Sequence, residues 1–178
     1  MSHSELDRTM VLLLLAMAQY ERKMTSERVR RKIAWRAGQG LWNGLPVLGY
    51  DISQTSKGSL VVNPKEAEIV RAMFEAYKET RSLREASIRL NRLGYRTKKF
   101  TSRTGRKHGG NKFSKYTVWQ WLTNPAYIGK IRHNGEILPG RHPAIIEQKL
   151  WDEVHAILKD EAPGRNGRVV ERKHNFLL

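Results

Sequence analysis

The sequence predicts a mainly α fold with small β-hairpins (α+β), in which one long N-terminal helix leads into a compact domain. Three observations carry this. Residues 5–36 contain neither proline nor glycine and repeat apolar residues at spacings of three and four. Helix-opening signals stand at Asn63, Ser82 and Ser114, each with an apolar periodic run behind it. Short β-branched and aromatic runs joined by glycine-bearing turns fill the intervals.

In the first helix, Leu6, Met10, Leu13, Met17, Tyr20 and Met24 mark the period. At 3.6 residues per turn it runs for about eight to nine turns. Its first half is apolar nearly all round and asks for a partner surface. Its second half carries Arg22, Lys23, Arg28, Arg30, Arg31, Lys32 and Arg36, a set suited to phosphates. Residues 38–46, with three glycines and Pro46, end the helix and read as an extended linker. Leu48–Asp51 and Ser59–Val62 form a hairpin, turning at Lys57-Gly58.

Asn63 caps the next helix, with Pro64 at its first position and Glu66 at its third. Ala67, Val70, Met73, Phe74 and Tyr77 share one face. Ser82 with Glu85 is a second capping box; that helix buries Leu83, Ala86 and Leu90 and stops at Gly94. Residues 100–113 read as a loop rich in glycine and basic residues. Ser114 caps a short helix with Val118, Trp121 and Leu122 inward, ended by Asn124-Pro125. Tyr127–His133 reads as a strand, Asn134-Gly135 as a type I′ turn and Glu136–Leu138 as the return. A last helix spans Ile146–Lys159, with Leu150, Val154, Ile157 and Leu158 inward. A linker at 163–167 precedes a tail that turns apolar at Phe176-Leu177-Leu178.

Charge narrows the function. Thirty-three Lys and Arg against 17 Asp and Glu give +16, a self-repulsion that a polyanion relieves. The charge is segregated. No acid occurs between Glu85 and Glu136, nor between Glu27 and Asp51. A merely solvated surface mixes signs, so two such stretches indicate a phosphate-facing surface. The first of them carries two helices that suit a helix-turn-helix with an enlarged basic loop, so the expected domain is a DNA-binding one. The second helix would then enter the major groove with Lys115, Tyr116, Trp119, Gln120 and Thr123 outward. Gln pairs bidentately with adenine, and Lys reaches guanine or phosphate. The expected DNA-binding residues are Arg31, Lys32, Arg36, Trp42, Arg96, Lys98, Lys99, Arg103, Arg106, Lys107, Lys112, Lys115, Tyr116, Trp119 and Gln120.

Other classes are poorly served. There is no cysteine, and the six histidines lack ligand spacing, so neither a metal nor a cofactor is expected. Met10–Ala18 is too short to span a bilayer and follows acidic residues, which argues for a cytoplasmic protein without a signal peptide. A non-enzymatic helix-turn-helix regulator or architectural protein, and an RNA-binding protein, stand as alternatives.

The order of motifs resembles a known family. Met17-Ala18-Gln19-Tyr20-Glu21-Arg22 followed by Thr25-Ser26-Glu27-Arg28, then Gly40-Leu41-Trp42-Asn43-Gly44 and Pro46-Val47-Leu48-Gly49-Tyr50-Asp51, are similar to the long helix and linker of large serine recombinases (the resolvase/invertase superfamily). Residues 60–71, Leu90-Asn91-Arg92-Leu93-Gly94-Tyr95, Asn124-Pro125-Ala126-Tyr127-Ile128-Gly129, residues 140–146 and Trp151 follow where that family's recombinase domain has them. The resemblance implies four segments: a catalytic-domain helix at 1–37, a linker at 38–49, the DNA-binding domain at 50–162 and a linker at 163–178 toward a zinc ribbon. It implies that Arg28 reaches toward the active-site phosphate and that Glu27 neighbours it in regulating synapsis. It also implies that Leu6, Met10, Leu13, Leu14 and Met17 belong to a self-associating surface, and that residues 38–46 follow the minor groove. The family forms a phosphoseryl intermediate without metal. Its nucleophilic serine and arginine cluster have no counterpart among these residues, so the activity expected here is recognition of DNA for integration, excision or inversion.

Overall fold

The computed structural model describes residues 3–53, 58–102 and 104–160, with side chains from residue 8 onward. The expected linker at 163–178, Arg103 and the side chain of Leu6 lie outside the described residues.

Helix α1 spans His3–Gly38 as one uninterrupted element. From residue 8 to residue 35 it is exposed except at Met24 and Glu27, which are half-buried. Met10, Val11, Leu12, Leu13, Leu14, Leu15 and Met17 are each more than half exposed, so the apolar half does not pack on the chain's own domain. Only the last turns meet the domain, where Ala37 is buried.

The linker is fastened rather than free. The Trp42 N–H donates to Gly58 O at 2.7 Å, the Arg141 N–H to Gly40 O at 3.0 Å, and the Asn43 amide to Ile33 O at 3.2 Å. The extended reading missed these bonds because their partners lie far away in sequence. The first hairpin pairs β1 (Tyr50–Ile52) with β2 (Leu60–Val62), Tyr50 opposite Val62.

Helix α2 (Pro64–Thr80) starts where expected, but only half of its capping box closes. Asn63 Oδ1 accepts the Glu66 N–H at 3.3 Å, while the Glu66 carboxylate turns away to accept the Gly49 N–H at 3.0 Å. The five residues expected on its inner face are all buried. Helix α3 (Leu83–Arg92) is capped by Ser82 and buries Ala86, Ser87 and Leu90; Leu83 is only partly covered. Gly94, at φ +80°, takes the left-handed turn after it.

The basic loop contains a small hairpin, β3 (Phe100–Thr101) with β4 (Lys107–His108), its Phe100 and His108 rings stacked at 5.1 Å. Helix α4 (Lys115–Leu122) follows. The expected strand from Tyr127 starts instead at Lys130. Asn124 caps a 3-10 turn over Pro125–Ile128 by accepting the Ala126 N–H at 3.1 Å, and Gly129 reverses the chain at φ +71°. Strands β5 (Lys130–His133) and β6 (Glu136–Pro139) then pair across Asn134-Gly135, both at positive φ as a type I′ turn demands.

Helix α5 (Gln148–Asp160) begins two residues later than expected. Ile145 and Ile146 are committed first: both donate to Tyr127 O at 3.0 Å, and both are buried. α5 packs on α2, with the Phe74 and Trp151 rings 5.9 Å apart. Tyr50, Phe74, Tyr77 and Tyr127 lie fully buried at the centre. The Tyr50 hydroxyl donates to this interior, between the Ala126 and Pro143 carbonyls at 3.0 and 2.8 Å; burial pushes its pKa far up. Among the described residues no helix is long and apolar enough to cross a membrane.

Candidate nucleic-acid interface

The orientation of α4 is set from its neighbours. The Asn91 side chain, at the end of α3, makes two bonds to one residue: its amide donates to Phe113 O at 2.8 Å, and its carbonyl accepts the Phe113 N–H at 2.8 Å. This fixes the backbone one residue before the cap. Ser114 then accepts the Thr117 N–H at 3.2 Å. Val118 and Leu122 are buried, and Trp121 meets Phe113 edge-on at 5.6 Å. Only one rotation of the helix satisfies all of these together. It turns Tyr116, Trp119 and Gln120 outward at positions i, i+3 and i+4, with Lys112 and Lys115 exposed at the helix start.

Beside α4 lies a cleft of about 410 Å³. Trp42, Leu45 and Pro46 from the linker form one wall, Thr97, Phe100 and Gly109 another, and Thr117, Gln120 and Trp121 of α4 the third. Lys98 lines it as well, and among the described residues no acidic one does. The two segments without acids, separated in sequence by residues 51–85 with α2 among them, thus meet at one place. By contrast, the groove between α2 and α5 mixes Glu75, Glu147 and Glu153 with Arg71, Lys78 and Lys149, which offers no single sign to a polyanion.

The base of the basic loop is stapled. Thr97 O accepts the Gly110 N–H, the Thr97 N–H donates to Asn111 O, and Thr97 Oγ1 accepts the Asn111 N–H at 2.9 Å. Gly109, at φ +80°, leaves no room for a side chain: a Cβ there would lie 1.8 Å from Lys98 O. Lys99, Arg106 and Lys107 are exposed around this staple.

Four expected DNA contacts are engaged within the fold. Lys98 Nζ lies 2.7 Å from Asp51 and 2.6 Å from Glu66, and its side chain is only 9% exposed. Its charge is neutralised within the fold, and it holds the Asp51 carboxyl below its ordinary range. Arg96 folds back on α3, donating to Tyr95 O at 2.6 Å and Asn91 O at 3.4 Å, where a cation suits the helix C-terminus. Trp42 is half-buried, its indole N–H donating to Leu45 O at 2.9 Å, yet its ring still lines the cleft. On α1, Arg28, Arg31 and Lys32 are exposed; Arg31 lies 4.0 Å from Glu27 one turn away. Arg36 donates to Trp42 O at 3.3 Å against the linker.

Sequence reasoning missed Asn91 and Thr97 as organisers of this surface. Asn91 was visible as the polar residue inside Leu90-Asn91-Arg92-Leu93-Gly94, but its partner lies 22 residues on.

Residues 64–161 match the family model described as Recombinase. The chain belongs to the Recombinase family. The fold of this Recombinase chain is shared by two solved structures. One, described by the sequence requirements of the Listeria innocua prophage attP site, has a TM-score of 0.60 at 22% identity, covering 74% of this chain and 51% of the other. The second, described as an LSR-DNA complex, has a TM-score of 0.60 at 22% identity and covers 75% of this chain and 38% of the other. The Recombinase chain therefore spans about half or less of the length of these structures. Among curated proteins no match was found.

Proposed function

We propose that this chain binds double-stranded DNA sequence-specifically, as the recognition part of a site-specific serine recombinase. The observation that carries the reading is the cleft without acids, where the linker, the basic hairpin and the outward face of α4 adjoin. In this reading α3 and α4 act as a helix-turn-helix whose turn is enlarged by the hairpin. α4 lies in the major groove, and the linker follows the adjacent minor groove. Family membership supports it, as does the shared fold with a chain described in complex with DNA.

Lys99, Arg106, Lys107, Lys112 and Lys115 are assigned to phosphates, together with Arg31 and Lys32 on α1. Arg28 is assigned to the neighbourhood of the reacting phosphate. The exposed apolar half of α1, from Met10 to Met17, is assigned to association with another recombinase surface.

Duplex binding measured by fluorescence anisotropy across a salt series tests the reading. The logarithm of the binding constant should fall linearly with the logarithm of salt concentration, by about 0.9 for each phosphate contacted. Nuclease protection should cover adjoining minor- and major-groove positions. Equal affinity for single-stranded RNA would sink the reading.

A further inference from the structure

The outward face of α4 is unusual for a helix beside a basic surface. Its two largest side chains are aromatic: Tyr116 is 65% exposed and Trp119 is 45% exposed. Their rings lie 6.0 Å apart, tilted by 33°, so they form one continuous apolar patch. Neither ring is needed by the core, which Val118 and Leu122 complete from the opposite side. Gln120 adjoins the patch, and Lys112 and Lys115 stand at the N-terminal end. No arginine lies on the helix, and no acid lies within the surrounding fifty residues.

This set of side chains matches one chemistry. In the major groove the only apolar group that a base pair presents is the thymine 5-methyl. Guanine is read by Arg or Lys, and cytosine by Asp or Glu; the central part of this face has neither pair. Gln reads adenine, the partner of thymine. We propose that the Tyr116–Trp119 pair packs against thymine 5-methyl groups, so that the DNA beneath the middle of α4 is a run of A·T pairs, with Gln120 on one of its adenines. The proposal rests on α4 being the major-groove helix.

The test uses the full chain and a duplex selected by it from a randomised pool. The enriched duplexes should contain a short A·T run inside the protected major groove. One enriched duplex is then remade with deoxyuridine in place of thymidine, which removes the methyl groups and nothing else. Wild type should bind the deoxyuridine duplex about fourfold more weakly for each methyl it buries. Trp119→Ala, and separately Tyr116→Ala, should bind the thymidine duplex more weakly and discriminate less between the two, with circular dichroism unchanged because both rings lie outside the core. Equal binding of the two duplexes by wild type would overturn the proposal, as would a double variant that keeps the full preference. So would a Trp119→Ala loss that is as large on single-stranded DNA, since that marks stacking on unpaired bases. Salt-dependent duplex binding without methyl sensitivity defeats the methyl assignment alone; absence of any duplex binding defeats the underlying reading as well.

Discussion

Lys98 and Lys99 are neighbours in sequence with different roles. Lys98 is held by Asp51 and Glu66, whereas Lys99 is exposed. Lys98→Met should lower stability by about 1–3 kcal/mol, the usual range for losing charge-assisted hydrogen bonds at a partly buried site, read as a shift in the urea midpoint. It should leave the salt slope of duplex binding nearly unchanged. Lys99→Ala should do the reverse, reducing the slope by about 0.9 with little loss of stability. The Asp51 carboxyl is held low chiefly by its Lys98 hydrogen bond, so the stability it adds is full at neutral pH and is lost only as pH falls through and below the ordinary carboxylate range. His142 titrates higher. It is buried, its Nε2 bonded to Ala126 O at 2.8 Å, and burial lowers its pKa below the ordinary 6.5. Unfolded chains therefore take up its proton first. Its contribution is complete above pH 6.5 and declines as pH falls through that value toward the depressed one, by at most about 1.4 kcal/mol per pH unit. Thermal melting between pH 7.5 and 5 should show this slope, and His142→Gln should reduce it. Part will remain, because burial lowers the pKa of His155 as well. Neither the Lys98 clamp nor the burial of His142 was legible in the sequence: composition marks a lysine as basic but does not reveal acids 47 and 32 residues away.

The elements that were legible are those set by local chemistry. Asn63, Ser82 and Ser114 each cap the helix expected of them, because a cap and its N–H partner lie within three residues. The Asn134-Gly135 hairpin was legible for the same reason. The 3-10 turn at Pro125–Ile128 was misread as strand because Tyr127 and Ile128 favour β structure, while the Asn124 cap and Gly129 decide otherwise. The β3–β4 hairpin was hidden because its two-rung pairing depends on the Thr97–Asn111 staple rather than on apolar alternation. Asn91 decides how α4 is presented. Asn91→Leu removes both partners of Phe113 and should cost about 2–3 kcal/mol in chemical denaturation. Duplex affinity should fall further than Gln120→Ala lowers it, since the first change reorients the whole face and the second removes one side chain from it. Unchanged affinity in a folded Asn91→Leu protein would show that α4 does not need this clamp.

Across the whole molecule the two segments without acids were legible as segments, and their meeting at one cleft was not. That convergence depends on the path of α2 between them. The long helix was legible in extent, while its lack of cover on this chain could be read only from packing. If its apolar half associates with another copy, sedimentation velocity should show the mass rising with concentration above the 20.6 kDa monomer. A Leu13→Glu, Met17→Glu pair should hold it at the monomer value with duplex affinity per chain unchanged. The fastening of Gly40 to Arg141 has a mechanical consequence. It joins α1 to the domain at one end only, making the helix a lever about 54 Å long at 1.5 Å per residue. On such an arm a tilt of about 5° at the Gly40 fulcrum swings the far tip by about 5 Å. A small change in how the domain sits on its ligand would therefore reach the apolar end of α1 as a displacement about as wide as one helical turn.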